Sequence, residues 1–354
     1  MKSTLVSAAC AATVAAGAAH AGGIERRGDP SQILFEEGNQ YLEFSVVHVS
    51  PNVSGTNTTP FPVGPTGNIT ENYQNWAFGY KHELNDKITL AFVLDEPVGA
   101  DVTYDTAGAF FAGSSASVDS IAATALMKYQ FTDRISAYGG LKLQGLSGAI
   151  TVQAAAGTAP NPYTLNVDKD YQLGYLVGAA YEVPEIAMRV ALTYESEIEH
   201  EFRDNTGAPF KVKTPQSVTL HAQSGIAANT LLFGSIRWRE WTEFAVSPSD
   251  FFPAPIASGT SDVWTYTLGV GRKFSDKWSG AFSLGYEKDN GDVVGNLSGT
   301  DGYWSYGVAA IYQGEGYKIT TGVRYIDIGS ANTSVASFSD NDAVAVGMKV
   351  GWTF

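Results

Sequence analysis

Hydrophobic and polar residues alternate strictly along the last stretch of the chain, residues 343–354, which read AVAVGMKVGWTF. Val, Met, Trp and Phe take one set of alternate positions, and Ala, Gly, Lys and Thr take the other. Successive side chains of a strand point to opposite faces, so the pattern predicts a strand with one apolar face. It suits the wall of a transmembrane barrel, with lipid on the apolar face and a wet lumen on the other. A half-buried strand of a soluble sheet is the alternative.

The same alternation recurs in fourteen segments, an even number that suits an antiparallel barrel with both ends on one side. Short turns and long connections follow one another without exception, and the long ones include 96–117 and 200–214. Outer-membrane barrels pair short periplasmic turns with longer extracellular loops. The fold class expected is therefore all-β: a 14-stranded antiparallel transmembrane β-barrel over residues 40–354, with a short N-terminal hatch segment, 22–39, in its lumen.

Composition agrees with a barrel. The chain has 38 Gly, 18 Tyr, 18 Phe and 7 Trp, with 16% charged residues. Aromatic residues near strand ends fit the girdles of a membrane barrel. The formal net charge of −14 argues against nucleic acid as a partner.

The first 21 residues look like a cleaved signal peptide. They contain Lys2, an Ala-rich apolar run, and the small-x-small site Ala19-His20-Ala21. Cys10 lies in this segment, so the mature protein is expected to have no cysteine and no disulfide. Beyond it no run of about 18 apolar residues predicts a transmembrane helix.

No catalytic or metal-binding constellation is found, so neither enzyme activity nor a cofactor is predicted. The five His residues are scattered without metal-ligand spacing, and no nucleophile elbow, phosphate loop or dinucleotide fingerprint is present. His221 near Ser217 could be interpreted as part of a rim hydrolase. It alternates with outward-facing residues, however, and is more simply a lumen side chain.

The third predicted strand contains Pro97 and Gly99, with Val98 between them. Proline cannot donate a ladder hydrogen bond, and glycine permits a bend. A strand that starts at Ile88 should therefore kink here, or else end at Asp95 and continue as a loop. The sequence leaves both interpretations open.

The hatch segment mixes charge with hydrophobic bulk and has no strand period. It contains Asp29 and Pro30, followed by Ile33, Leu34 and Phe35. Three large apolar side chains exposed together on a periplasmic tail would be unusual. We expect the segment to fold back into the lumen as a plug, with a disordered tail as the alternative.

Two further groups of residues are candidates for ligand contact. The long loops contain Phe110, Phe111, Phe251 and Phe252, which either pack on one another or capture an apolar ligand. The predicted lumen contains basic residues that either form salt bridges or serve as counter-charges for an acidic ligand group. The counter-charge candidates are Arg189, Arg237, Lys318 and Arg324.

Several motifs resemble the FadL/TodX family of outer-membrane transporters for long-chain fatty acids and other hydrophobic compounds. Asp29-Pro30 with the turn PNVSG at 51–55 is similar to the hatch motif and first-strand turn of that family. The run EPVGAD at 96–101 is similar to its kinked third strand. The segments TPQSVTL at 214–220 and WREWTEF at 238–244, and the terminal Phe354, also resemble it. The chain differs at Ser31, where the motif has Ala, and only 22–28 precede Asp29.

The resemblance implies a function. A hatch containing Asp29, Pro30 and Phe35 would plug the barrel, apolar extracellular loops would capture the ligand, and Pro97, Val98 and Gly99 would frame a lateral exit. The predicted function is outer-membrane uptake of long-chain fatty acids or similar hydrophobic molecules, with hydrocarbons as a further ligand class. A general diffusion porin or a structural barrel with a polar lumen is the alternative.

The predicted location is the outer membrane of a Gram-negative bacterium, with long loops extracellular and both termini periplasmic. We expect a monomer surrounded by outer-membrane lipid. The strand ending at Phe354 is expected to engage the barrel-assembly machinery.

Overall fold

The computed structural model describes residues 24–58, 64–105, 111–153, 162–251 and 255–354. The expected signal peptide, 1–21 with Cys10, lies outside the described residues, as do Phe110 and Phe252.

Within the described residues, fourteen antiparallel strands form one closed sheet, as predicted. Each strand pairs with the next along the chain, and the last pairs with the first through twelve residue pairs that run from Tyr41 and Thr353 to Asn52 and Asp342. The strands are β1 Gln40–Asn52, β2 Tyr73–Asn85, β3 in two halves, Ile88–Asp95 and Gly99–Thr103, β4 Ser115–Gln130, β5 Ile135–Val152, β6 Tyr163–Val183, β7 Met188–Glu195, β8 Ser217–Ala227, β9 Thr230–Arg239, β10 Val263–Lys273, β11 Trp278–Glu287, β12 Tyr303–Gln313, β13 Tyr317–Ile328 and β14 Asn341–Thr353.

The alternation in β14 has the predicted consequence. Val344, Val346 and Met348 are exposed on the outside of the barrel, whereas Ala343 and Ala345 are buried on the inside. A two-residue period assigns each side chain to one face, so the sequence pattern determines which face meets lipid.

The connections separate into a short-turn end and a long-loop end of the barrel. The six predicted short turns lie where expected, for example between Asn85 and Ile88. The prediction of loops throughout the long connections is wrong in detail, because several contain strands. Residues 200–214 belong largely to a hairpin of Ile198–Arg203 and Pro209–Thr214. The other long-loop strands are Ser54–Asn57, Pro65–Asn68, Ala245–Val246, Ala257–Ser258, Ala331–Asn332 and Ala336–Phe338.

The remaining regular structure in the described part of the chain is three short 3-10 helices. Pro184–Ile186 forms one of the turns, Trp241–Glu243 follows β9, and Pro30–Phe35 lies inside the barrel. In the last of these, Asp29 caps the helix by accepting a hydrogen bond from the Ser31 N–H, and Pro30 suits the first turn, where no N–H is needed. None of the described helices is long and apolar enough to cross a membrane.

Apolar side chains of the described residues fill the interior in two clusters. One surrounds the helix Pro30–Phe35 and includes Tyr138 and Leu176. The other lies toward the long loops and includes Val98, Ile150 and Phe338.

Candidate functional site

The barrel wall is interrupted at β3. Both halves of β3 pair with β4, but residues 96–98 separate them, so three residues of β3 face two of β4. The hydroxyl of Ser120 on β4 replaces the ladder there. It accepts a hydrogen bond from the Val98 N–H at 2.9 Å and donates one to the Val98 carbonyl at 2.6 Å.

On its other side, β3 leaves β2 at the same point. Pairing between β2 and β3 ends at Ala77 and Asp95, so residues 73–76 of β2 have no ladder partner on the described part of β3. Near the long loops, contact resumes through a bridge between Thr70 and Val102. The wall therefore has a gap between β2 and the second half of β3. Pro97 and Gly99 lie at this gap, as the kink interpretation predicted, and not in a loop after a terminated strand.

The N-terminal segment covers the gap from inside. The Arg26 N–H donates to the Pro97 carbonyl at 2.9 Å, and the Gly99 N–H donates to the Ile24 carbonyl at 2.7 Å. These bonds satisfy backbone groups that the kink removes from the ladder, which would be costly to leave unpaired away from water. Residues 24–27 thus take the place of a partner strand.

Arg26 holds this arrangement together. Its Nη2 atom lies 2.5 Å from Asp101 Oδ2 on the second half of β3, and its guanidinium lies 4.2 Å from the ring centre of Tyr73 on β2. One side chain therefore contacts both edges of the gap. A Cβ at Gly99 would overlap the Arg26 guanidinium, so a larger residue there would displace this side chain.

A cavity of about 230 Å³ adjoins the gap. Ile24 and Arg26 contribute to its lining from the N-terminal segment, and Gly99 and Ala100 from β3. Trp241, Phe244 and Leu297 supply apolar surface from the long-loop end.

A second space, the apolar chamber, lies next to this cavity. Ile24 and Phe244 line both spaces. The lining of the chamber has no charged residue among the described residues, and its larger side chains are Leu146, Ile150, Leu165, Phe202, Phe210 and Phe244. Phe202 and Phe210 come from the hairpin that sequence analysis assigned to a loop. The alternation of Ile198, His200 and Phe202 was the signal that could have identified it.

Asp29 fixes the hatch segment to the wall. Its carboxylate accepts hydrogen bonds from the Ser31 N–H at 2.8 Å and from the Thr193 hydroxyl of β7 at 2.8 Å, and lies 3.4 Å from His221 Nε2 of β8. Burial raises the pKa of Asp29, but the interactions with His221 and Ser31 outweigh it and hold the pKa well below its usual value. Pro30 is buried beside it.

Phe35 is the apolar anchor of the hatch segment. Its ring meets that of Tyr138 edge to face at 5.6 Å. The Arg189 guanidinium lies 4.4 Å from its ring centre, and the Lys128 ammonium 4.9 Å. Aromatic and cation–π contacts of this kind add to the burial of the ring.

Two of the predicted counter-charges already form ion pairs with acidic side chains of the protein itself. Arg237 lies 2.9 Å from Glu25, and Lys318 lies 3.0 Å from Glu36, so the hatch segment supplies both carboxylates. Arg189 donates to the Gln32 side chain at 3.2 Å as well as covering Phe35.

Arg324 is different. Its described contact is a 3.3 Å hydrogen bond to the Ser305 hydroxyl, although its side chain is buried in the lumen. Among the described residues, no carboxylate lies within 4 Å of the Arg324 guanidinium.

A separate finding concerns metal ions: in the described part of the chain, no group of His, Cys, Asp and Glu could hold one.

The loop phenylalanines that are described pack internally. Phe111 contacts Tyr104 with ring centres 5.8 Å apart, and Phe251 contacts Tyr163 at 4.9 Å. Both belong to the apolar contacts around the cluster near the long loops.

The family profile described as outer membrane protein transport protein (OMPP1/FadL/TodX) matches residues 6–290. The chain belongs to the FadL/TodX family. Its members are outer-membrane transport channels and not enzymes, in agreement with the sequence-based prediction. No curated protein matches the chain.

Solved structures share this fold at low sequence identity. A FadL homologue of Pseudomonas aeruginosa has a TM-score of 0.76 at 14% identity, covering 97% of this chain and 98% of that one. The toluene transporter TodX of Pseudomonas putida has a TM-score of 0.65 at 11% identity, covering 92% of each chain. The toluene transporter TbuX of Ralstonia pickettii has a TM-score of 0.65 at 11% identity, covering 97% and 98%. Similarity at this level establishes the barrel fold alone.

Proposed function

We propose that this protein takes up hydrophobic small molecules and releases them sideways into the membrane through the gap between β2 and β3. The observation that carries the proposal is the loss of ladder pairing over residues 73–76 next to a cavity that adjoins the apolar chamber. Backbone that leaves the ladder in a barrel wall is expensive in lipid unless it lines a cavity or finds another partner, as the Trp76 N–H does with the Glu96 carboxylate at 3.2 Å. A gap at this position therefore suits a passage.

The driving force for the proposed route is the transfer of the ligand out of water. Each buried CH₂ contributes about 0.8 kcal/mol, so an eight-carbon chain gains roughly 6 kcal/mol on reaching an apolar site or the bilayer. The proposed capture site is the apolar chamber, of about 50 Å³, together with the cavity of about 230 Å³ that adjoins it. Phe111 packs on Tyr104 and Phe251 packs on Tyr163, and we propose that these contacts stabilise the loops near the capture site.

The hatch segment is proposed to close the axial route. Ile33, Leu34 and Phe35 are buried within the barrel, and Glu36 accepts hydrogen bonds from Lys318 and Lys349 on two further strands. A segment held on several sides of the lumen leaves little path for polar solutes. This favours a selective channel over a general diffusion porin. We place the long loops outside the cell and both termini in the periplasm.

Replacing Pro97 by Val tests the lateral route. The change restores an N–H while retaining the carbonyl that accepts from Arg26, so β3 can pair more continuously with β2. Uptake of labelled long-chain fatty acid or toluene by cells expressing the Pro97→Val variant should fall at least fivefold. Pro209→Val, at the exposed start of a hairpin strand, is the matched control and should transport normally.

Gly99→Val is a less specific test of strand pairing, because the Val side chain would also displace Arg26. Unchanged uptake by Pro97→Val, with a heat-modifiable barrel present in normal amounts, would exclude the gap as the route. Rapid permeation of sugars through the wild-type protein would instead support a diffusion pore.

A further inference from the structure

Arg324 of β13 is a buried cation that has no counter-ion among the described residues. The residue is 3% exposed, and no carboxylate lies within 4 Å of its guanidinium. The parts of the chain outside the described ranges contain no Asp or Glu. By contrast, Arg237 and Lys318 contact carboxylates at 2.9 and 3.0 Å. Because an uncompensated buried charge is costly, Arg324 needs a negative partner from outside the chain.

The guanidinium of Arg324 presents two N–H groups without a protein acceptor. Its Nη1 atom donates to the Ser305 hydroxyl at 3.3 Å. Its Nε and Nη2 atoms are buried and have no hydrogen-bond partner among the described residues. These two atoms share one edge of the guanidinium plane, where arginine binds an anion through two parallel hydrogen bonds. The unused edge is therefore suited to an anion.

Gly307 of β12, the strand partner of Arg324, leaves space in front of this edge. A Cβ built on Gly307 would have three polar atoms as its nearest neighbours: Ser283 Oγ at 2.7 Å, Arg324 Nε at 3.6 Å and Arg324 Nη2 at 3.7 Å. All three can donate a hydrogen bond. On the other side of Arg324, its strand partner on β14 is the small apolar Ala345. The space beside Gly307 is thus bordered by three donors and one positive charge.

The size and position of this space favour a small free anion. A water molecule could accept from both N–H groups, but it would not compensate the charge. The head group of an amphipathic ligand would need room for its hydrocarbon chain. Arg324 belongs to the described lining of neither the cavity at the gap nor the apolar chamber, so neither space would receive such a chain.

We infer that Arg324, Ser283 and Gly307 form a binding site for a small monovalent anion of the size of chloride, nitrate or formate. The anion accepts hydrogen bonds from the free guanidinium edge and from the Ser283 hydroxyl, and it compensates the buried charge. The inference does not rest on the proposed function, because the site lies outside both spaces of the proposed route. An anion that binds only the folded barrel stabilises it as its concentration rises.

The test measures thermal unfolding of the purified full-length protein in detergent as chloride increases. Sodium gluconate, whose anion is too large for the space, replaces sodium chloride at constant ionic strength, so that screening does not change. The unfolding temperature of the wild-type protein should rise with chloride and give an apparent dissociation constant. Nitrate and formate should act in the same way.

Three variants assign the response to the site. Arg324→Gln should weaken the apparent chloride affinity at least tenfold. Gly307→Ala keeps the charge but fills the space, and should weaken it at least fivefold. Arg272→Gln is the control and should leave the response unchanged, since Arg272 also donates to a hydroxyl, that of Thr230, but is exposed.

Stability in gluconate alone separates anion binding from a merely structural role of Arg324. Arg324→Gln should be at least as stable as the wild-type protein there, because it removes a charge that gluconate does not reach. A merely structural arginine would make the variant less stable in every salt. Crystals of the full-length protein grown in sodium bromide should show an anomalous-scattering peak within hydrogen-bond distance of Arg324 Nε and Ser283 Oγ.

Equal chloride responses in the wild-type protein and Arg324→Gln would overturn the inference and leave water as the partner. A bromide peak without a chloride response in solution would mean binding at crystal concentration only, and would also overturn it. Stabilisation by octanoate at a tenfold lower concentration than by acetate, lost in Arg324→Gln, would replace the free anion with the head group of an amphipathic ligand. If Arg324→Gln yields no heat-modifiable barrel, Gly307→Ala decides, because an unchanged chloride response in it would overturn the site.

Discussion

The side chain of Phe35 should determine how firmly the hatch segment is docked in the lumen. Its ring is buried against Tyr138 and is contacted by the cationic groups of Arg189 and Lys128. Truncation of a buried Phe to Ala costs about 3–5 kcal/mol in protein cores. We take about 3 kcal/mol for Phe35→Ala, because water can enter the lumenal cavity that the missing ring leaves. Since about 1.4 kcal/mol corresponds to a tenfold change, the opening equilibrium of the hatch should rise by roughly 100-fold.

The opening can be measured with a Ser31→Cys variant, because Ser31 is fully buried in the closed hatch. The expected mature chain lacks other cysteines, so a membrane-impermeant maleimide would report exposure of the introduced thiol alone. Under conditions where closing is faster than labelling, the labelling rate follows the open population. Ser31→Cys/Phe35→Ala should label roughly 100-fold faster than Ser31→Cys, in proportion to the change in the opening equilibrium.

Phe131→Ala is the matched control, since Phe131 meets Tyr129 at 5.0 Å outside the lumen and is well exposed. Added to the Ser31→Cys parent, it should leave the labelling rate of the introduced thiol within about twofold of that parent. Equal rates in the Phe35 and Phe131 variants, with heat-modifiable barrels in both, would refute the docking role of Phe35.

Three further predictions concern other parts of the barrel. Trp352→Ala/Phe354→Ala should lower the amount of assembled barrel severalfold while leaving uptake per assembled molecule unchanged, because Trp352 ends the outward face of β14 and Phe354 follows it as an exposed terminal aromatic residue; normal assembly with lost uptake would contradict this. Arg26→Ala should raise the protease sensitivity of residues 24–28 at least tenfold, because it removes the contacts with Asp101 and Tyr73. The control Arg134→Ala, at an exposed turn, should not change it. Equal sensitivity of the two variants would show that the backbone hydrogen bonds alone hold the segment at the gap. Asp29, whose pKa is held below its ordinary 3.8, should stabilise hatch docking fully above about pH 4 and progressively less below it. Because maleimide reacts with the thiolate, labelling slows in acid for any variant, but it should slow less steeply for Ser31→Cys than for Ser31→Cys/Asp29→Asn; parallel pH profiles would rule out this role.

Local patterns were sufficient to predict the barrel. The two-residue period of β14 and the turn between Asn85 and Ile88 are properties of a few neighbouring residues, so each could be identified without knowledge of the rest. Pro97 and Gly99 likewise indicated the break in β3, because each acts on its own backbone.

The contents of the lumen could not be predicted in the same way. Lys318 and Glu36 are separated by 282 residues, and their pairing depends on where the hatch segment lies once the barrel has closed. The role of Arg26 at the gap likewise requires β2, β3 and the N-terminal segment to be brought together. The hairpin of Ile198–Arg203 and Pro209–Thr214 was missed because its alternation extends over only six residues in each strand and includes the polar His200 and Thr214 on the buried face.

Lateral passage at the gap is tested most directly by two variants, one with a bulky side chain at the gap and one with a bulky side chain that faces the lumen elsewhere. Ala100 lines the cavity at the gap, whereas Ser235 faces the lumen from β9, seven strands from β2. Uptake of labelled toluene into cells should fall at least tenfold in Ala100→Trp and stay within twofold of wild type in Ser235→Trp, with equal amounts of heat-modifiable barrel. Normal uptake in Ala100→Trp together with blocked uptake in Ser235→Trp would contradict lateral passage and place the route along the lumen.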